Sequence, residues 1–191
     1  GTGSNDTAYA LELSEFSDSV GADGLLMATP YYNKTSQRGL IHHYTYLADR
    51  VKSPIILYNV PSRTGMTITA DTYYQLSKHP MINGTKEASG DFTLIAHTAA
   101  LCGDELNIWS GNDDQTVPLM ALGAKGVISV AANVIPDVMA NICKLFAEGN
   151  VKESNQLALR YFDLMNTLFC EVNPIPVKTA VNLMGFNAGP L

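Results

Sequence analysis

The sequence predicts an α/β fold on parallel strands, and a closed barrel fits it better than an open doubly wound sheet. Three observations carry this. Short apolar runs alternate with longer stretches of helical period, joined by compact connections. No G-x-G-x-x-G and no Walker A sequence occurs, so the phosphate-binding turns common in open sheets are missing. Finally, the apolar runs end in polar segments, "LYNVPSRTG", "GTKEASGD", "WSGNDD" and "VISVAAN". That form suits a barrel, whose chemistry gathers at the C-terminal ends of its strands.

Five runs read as short buried strands: "DGLLMAT" (23–29), "SPIILYNV" (53–60), "MINGTKE" (81–87), "ELNIWSG" (105–111) and "KGVISVA" (125–131). Before the first, Ala10, Leu13, Phe16 and Val20 share one helical face, and Gly21 supplies the stop. Leu40, Tyr44, Leu47 and Val51 repeat the pattern, and Pro54 then opens a strand. Helical pattern returns at 70–78, 92–101, 114–122 and 136–148. Two further helices, near 152–169 and 175–184, follow with no strand between them. In the first, Leu157, Tyr161, Leu164 and Leu168 form an a/d-like stripe that reads as simple packing, for instance against another subunit, rather than as a cofactor box. The expected organisation is a partial barrel over 1–148 and a C-terminal helical region over 149–191.

A chain of 191 residues with 46% hydrophobic content can bury one sizeable core. Its net charge of -6, with no run of Lys or Arg, argues against nucleic-acid binding. Cys102, Cys143 and Cys170 are widely spaced and odd in number, which favours reduced thiols in a cytoplasmic protein over a disulfide framework. No apolar run is long enough for a membrane span, and no signal peptide is visible. His42, His43, His79 and His97 lack metal-ligand spacing, so no metal is expected.

Lys86 sits oddly, near the end of an apolar strand. Alternation places Ile82, Gly84 and Lys86 on one face and Glu87 on the other. If that face lines a barrel, desolvation lowers the amine's pKa from about 10.4. A neutral amine can attack a carbonyl and form a Schiff base. The plainer reading is a rim lysine reaching water. Tyr58 ends the preceding strand, facing alike with Ile56, where its phenol could relay protons or simply bury area with a wet tip. Arg63 lies in the loop "NVPSRTG", suited to a carboxylate or to an exposed ion pair. Asp113 and Asp114 are better explained as helix N-caps than as a paired-carboxylate site. The adjacent tyrosines of "TPYYNK" (29–34) suit an interface first and a contribution to a site second.

Taken in order, "TPYYNK", "YNVPSRTG", "KEASGD", "SGNDD", "GVISVAAN" and "NPIPVK" resemble the dihydrodipicolinate synthase family, pyruvate aldolases related to N-acetylneuraminate lyase. The likeness runs along essentially all 191 residues. It implies a (β/α)8 TIM barrel of which this chain carries strands four to eight. It also implies a lyase of lysine and diaminopimelate biosynthesis that condenses pyruvate with L-aspartate-4-semialdehyde to 4-hydroxy-tetrahydrodipicolinate. By the resemblance, Lys86 forms the imine with pyruvate, so no diffusible cofactor is needed, and Tyr58 relays the proton. Tyr32 matches the tyrosine inserted into a neighbouring subunit's active site, within a homotetramer built as a dimer of dimers. Arg63 holds the semialdehyde carboxylate and is the position that sialic-acid lyases typically lack. Gly111 and Ile128 line the pyruvate pocket, and Asn5 and Tyr31 match an inhibitor site for lysine.

Two departures accompany the likeness. Aligned on these motifs, Gly1 falls at the end of the third barrel strand, so the family's Gly-Thr-Thr-Gly-Glu segment, with the threonines of its proton relay, is missing. The polypeptide starting at Gly1 is therefore expected to be inactive or severely impaired. Lysine-inhibited members also place an acidic residue in the helix after "GTG", where this chain has Tyr9, which argues against feedback control by lysine. Alternative readings are a sialic-acid or keto-sugar-acid pyruvate lyase, and a non-catalytic fragment that associates with a complete homologue.

Overall fold

The computed structural model describes residues 1–191. They form two compact units, Gly1–Trp109 with Leu122–Lys125, and Ser110–Ala121 with Gly126–Leu191.

In the first unit, β1 (Leu25–Ala28), β2 (Ile55–Asn59), β3 (Ile82–Glu87) and β4 (Asn107–Ser110, its last residue opening the second unit) lie side by side in chain order. The β1–β2 and β2–β3 pairs are parallel. Helices α1 (Thr7–Ser19), α2 (Gln37–Ala48), α3 (Pro61–Thr64), α4 (Ala70–Ser77) and α5 (Phe92–Cys102) alternate with the strands. Their starts are written in the sequence. The side chains of Asp6, Ser36, Thr69 and Asp91 each accept a backbone N–H of the first turn of α1, α2, α4 and α5 respectively. Leu25, Met27, Ile55, Leu57 and Ile82 pack with Tyr44 and Tyr73 in one buried cluster, so a single face of the sheet meets the helices.

Two details of this unit differ from the sequence reading. The buried side of α1 is Ala10 and Ser14, whereas Phe16 and Val20 are 65% and 66% exposed. The Ser14 hydroxyl donates to the Ala10 carbonyl at 2.6 Å, which lets a small polar residue occupy the close-packed face. The second concerns β3. Ile55 pairs with Ile82 but Ile56 pairs with Gly84, so Asn83 is an extra residue in the ladder. Ile82 therefore shares the helix-packed face with Thr85 and Glu87, not with Lys86 as strict alternation predicts. Asn83 is held in this bulge by the Asn107 amide, which donates to its carbonyl at 3.0 Å and to its side-chain oxygen at 3.2 Å.

The second unit is helical: α6 (Thr116–Ala121), α7 (Pro136–Ala147), α8 (Val151–Arg160), α9 (Phe162–Thr167) and α10 (Ile175–Leu183). Met139, Ile142, Met165, Leu168 and Val177 form its core. The helix predicted over 152–169 breaks at Tyr161, where the backbone leaves the helical region, yet Leu157 and Tyr161 still pack on that core. The strand predicted at 125–131 is reduced to a single parallel bridge, Ser110 to Val127. Ser110 receives the Ile128 N–H at 2.9 Å and donates its own to Gly126 at 2.8 Å, but Gly126 has a φ of 147° and Val130 has already turned helical. Asp113 does cap backbone N–H groups, but those of Val130 and Ala131, at 3.1 and 2.9 Å, rather than the start of its own helix. No helix in the structure is long and apolar enough to cross a membrane.

Gly84 is the tightest point of β3, because a Cβ there would lie 2.4 Å from the Asn107 carbonyl oxygen and 2.5 Å from the Trp109 ring. A backbone oxygen cannot swing aside as a side chain can. Gly84→Ala is expected to lower unfolding free energy by about 1–3 kcal/mol in urea titrations, the range for overpacking. An unchanged midpoint would show that β3 and β4 part without penalty.

Candidate active site

The register shift at Asn83 brings two side chains together. Tyr58 on β2 is paired in the ladder with Lys86 on β3, and Asn59 with Glu87. Without the extra residue, Tyr58 would face Thr85 instead. Tyr58 and Lys86 are both half-buried, on the sheet face turned away from the helices. The Lys86 Nζ lies 4.5 Å from the centroid of the Tyr58 ring, within cation–π range. Burial pushes the Tyr58 phenol above its ordinary value, and the Arg63 guanidinium pulls it part of the way back. Arg63 thus acts electrostatically on Tyr58 from α3, the single turn begun by Pro61 and closed by Gly65 in the left-handed region. The arginine itself is exposed.

The other candidates lie elsewhere. Tyr32 follows β1 in a left-handed conformation, with a φ of 67°, and is 90% exposed. Asn5 and Tyr31 do meet, through a 3.2 Å hydrogen bond from the Asn5 amide to the Tyr31 carbonyl. Tyr9, exposed on α1, brings no carboxylate to them. Gly111 and Ile128 belong to the second unit, where both adjoin Ser110, Gly111 in sequence and Ile128 through its N–H.

A group of residues behind Lys86 escaped the sequence reading. Glu87 is 3% exposed, and its carboxylate accepts from the Asn59 amide at 3.1 and 3.0 Å. It also accepts from the Tyr73 hydroxyl at 3.0 Å and the Ser89 N–H at 2.8 Å. Burial, then the Glu87 charge, pushes the Tyr73 phenol well above its ordinary value, so it remains a donor. The available signal was a polar residue at a core-facing position in each of two paired strands. His43 is buried, its Nδ1 lies 2.8 Å from the Thr7 hydroxyl, and desolvation lowers its pKa to about 4.

An amine and a phenol on neighbouring strands, with a guanidinium acting on the phenol, can form and protonate an imine beside an anionic ligand. The family model for the dihydrodipicolinate synthetase family matches residues 1–191. The 4-hydroxy-tetrahydrodipicolinate synthase of Clostridium perfringens strain SM101 is 53% identical over 191 residues, covering 100% of this chain and 66% of its own. The chain thus spans a little under two thirds of such relatives. Dihydrodipicolinate synthase from Acinetobacter baumannii, solved in complex with pyruvate, superposes with a TM-score of 0.94 at 42% identity, over 97% of this chain and 64% of that one. The synthase of Cyanidioschyzon merolae with lysine bound gives a TM-score of 0.96 at 39% identity, over 100% and 65%. These structural relatives are TIM barrels, and the parallel strands and helices here are part of that (β/α)8 fold, as the sequence predicts. The chain belongs to the dihydrodipicolinate synthetase family.

Proposed function

We propose that the chain carries the reacting centre of a class I aldolase that condenses pyruvate with L-aspartate-4-semialdehyde, giving 4-hydroxy-tetrahydrodipicolinate. The observation that supports this most directly is the register pairing of Lys86 with Tyr58. In the proposed reaction, the Lys86 amine adds to the ketone of pyruvate and water leaves, forming an imine. Loss of a methyl proton, relayed through Tyr58, gives the enamine. Its carbon attacks the aldehyde of the second substrate, whose carboxylate Arg63 holds. The substrate's own amine then displaces Lys86 and closes the ring, which returns the enzyme without any diffusible cofactor.

Gly111 and Ile128 are assigned to the pyruvate pocket through their backbone groups. Tyr32, exposed after β1, is assigned to a neighbouring subunit's site within a tetramer of paired dimers, in the cytoplasm. A sialic-acid or keto-sugar-acid lyase would use the same imine, but Arg63 favours an aldehyde that carries a nearby carboxylate. The lysine-bound relative raises the question of an effector site at Asn5 and Tyr31; Tyr9 stands where lysine-inhibited members carry an acidic residue, which disfavours that site.

In the protein expressed from its complete gene, borohydride reduction in the presence of pyruvate is expected to leave one pyruvyl mass on the peptide containing Lys86, and Lys86→Arg to leave none. A mass on another lysine would reject the assignment. Turnover with aspartate semialdehyde, against none with sialic or keto-sugar acids, separates the two aldolase readings. For Tyr58, a 13C-tyrosine NMR titration assigned with Tyr58→Phe should show the phenolate forming above the ordinary tyrosine range. Because the Arg63 charge favours the phenolate, Arg63→Ala should move that transition higher still. A downward move would mean the guanidinium does not act on this phenol.

A further inference from the structure

Glu87 takes no part in the proposed reaction, yet it is the most heavily hydrogen-bonded side chain near it. Its four accepted bonds, two from Asn59 and one each from Tyr73 and Ser89, fill the acceptor capacity of a carboxylate. The donors come from three different segments: β2, α4 and the loop after β3. A fourth segment is tied in through Asn59, whose side-chain oxygen accepts the Ile68 N–H at 3.1 Å, on the chain between α3 and α4. The Asn59 carbonyl in turn accepts the Ala88 N–H at 2.9 Å, so main chain and side chains hold the same junction.

The position of this cluster matters more than its size. Asn59 follows Tyr58 and Glu87 follows Lys86, and each successive pair is matched across the same ladder. Strand alternation sends one pair toward the helices and the other to the opposite face. Any slip or twist at the ends of β2 and β3 would therefore misplace the amine against the phenol and break the Glu87 bonds together. All four contacts donate, so an amide in place of the carboxylate would set its NH2 against at least one of them, whereas a carboxylate satisfies them all.

We propose that Glu87, Asn59 and Tyr73 are positioning residues for the reaction, holding Lys86 and Tyr58 in attacking geometry through the backbone of β2 and β3. This rests on the imine-forming role given to Lys86. None of the three touches substrate. Their effect is on the geometry of the amine, so it falls on the rate of imine formation rather than on pyruvate affinity.

The test uses the protein expressed from its complete gene, with imine formation at saturating pyruvate followed by rapid borohydride quench and the mass of the Lys86 peptide. Glu87→Gln is expected to slow this step about 100-fold, the scale of a misplaced reacting group, while KM for pyruvate stays within about threefold. Tyr73→Phe, which removes one donor without removing the ring, should slow it about tenfold. A Glu87→Gln protein that unfolds at the normal urea concentration and forms the imine within about twofold of the unmutated rate overturns the proposal. So does a slow one whose KM for pyruvate rises by the same factor, since the loss would then come from repacking of the site. If Glu87→Gln does not fold, Tyr73→Phe decides, and an unchanged rate counts against the proposal. Absence of any pyruvyl adduct in the unmutated protein instead overturns the functional reading, and the positioning role with it.

Discussion

The structure depends on one extra residue in a strand. Asn83 shifts the ladder between β2 and β3 by one position, so that Tyr58 meets Lys86 and Asn59 meets Glu87. A one-residue slip inverts every side chain on a strand, sending core residues to the other face. Here the inversion is used within the strand. Ile82, before the bulge, packs with the helices, and Thr85 and Glu87, after it, face the helix α4 residue Tyr73. Gly84 and Lys86 are left for the opposite face. The bulge is held by Asn107 on the neighbouring strand, at the level where Gly84 permits the closest approach of backbone.

This explains which parts of the site were legible in the sequence. The strand ending in Tyr58 could be read correctly because β2 alternates strictly: Ile55, Leu57 and Asn59 are buried against the helices, while Ile56 and Tyr58 are half-buried opposite them. Lys86 was placed on the correct face only relative to Gly84 and Glu87; its grouping with Ile82 failed because a bulge has no signature in a single short run. Helix starts were readable wherever a side-chain cap exists, as at Asp6, Ser36, Thr69 and Asp91. The buried face of α1 was not, since a serine bonded to its own helix carbonyl can replace an apolar residue. Nor was the fifth strand, whose pairing ends after one bridge when Val130 turns helical. Asp113 was recognisable as a capping residue, but what it caps lies well along the chain, which sequence proximity hides.

The buried polar cluster has a physical logic beyond any single hydrogen bond. A carboxylate removed from water is destabilising unless its oxygens are satisfied, and an amide with one donor missing is scarcely better. The Glu87 cluster therefore works as a set. Removing one member leaves the others unpaired in a low-dielectric setting, where the loss exceeds the worth of the bond itself. Such a cluster tolerates few alternative arrangements. An apolar substitute of the same volume would fill the space without distinguishing one register from the next.

That distinction bears on how the proposed chemistry divides among the residues. The amine and the phenol must meet the same small keto acid, and an effective attack tolerates little misplacement, so both are mounted on paired strands whose ends are cross-tied. The proposed reaction gives Arg63 a different task, drawing in a second, longer substrate by its charge. An exposed guanidinium on a single helical turn suits it, because a charged fork can adjust to its carboxylate while still acting on Tyr58. On that proposal the rigid part of the site belongs to bond making and the adjustable part to recognition. A substitution in the Glu87 cluster should then alter the first without the second. Two enzymes that share the imine but differ in their aldehyde partner could keep β2 and β3 unchanged and vary only the turn that carries residue 63.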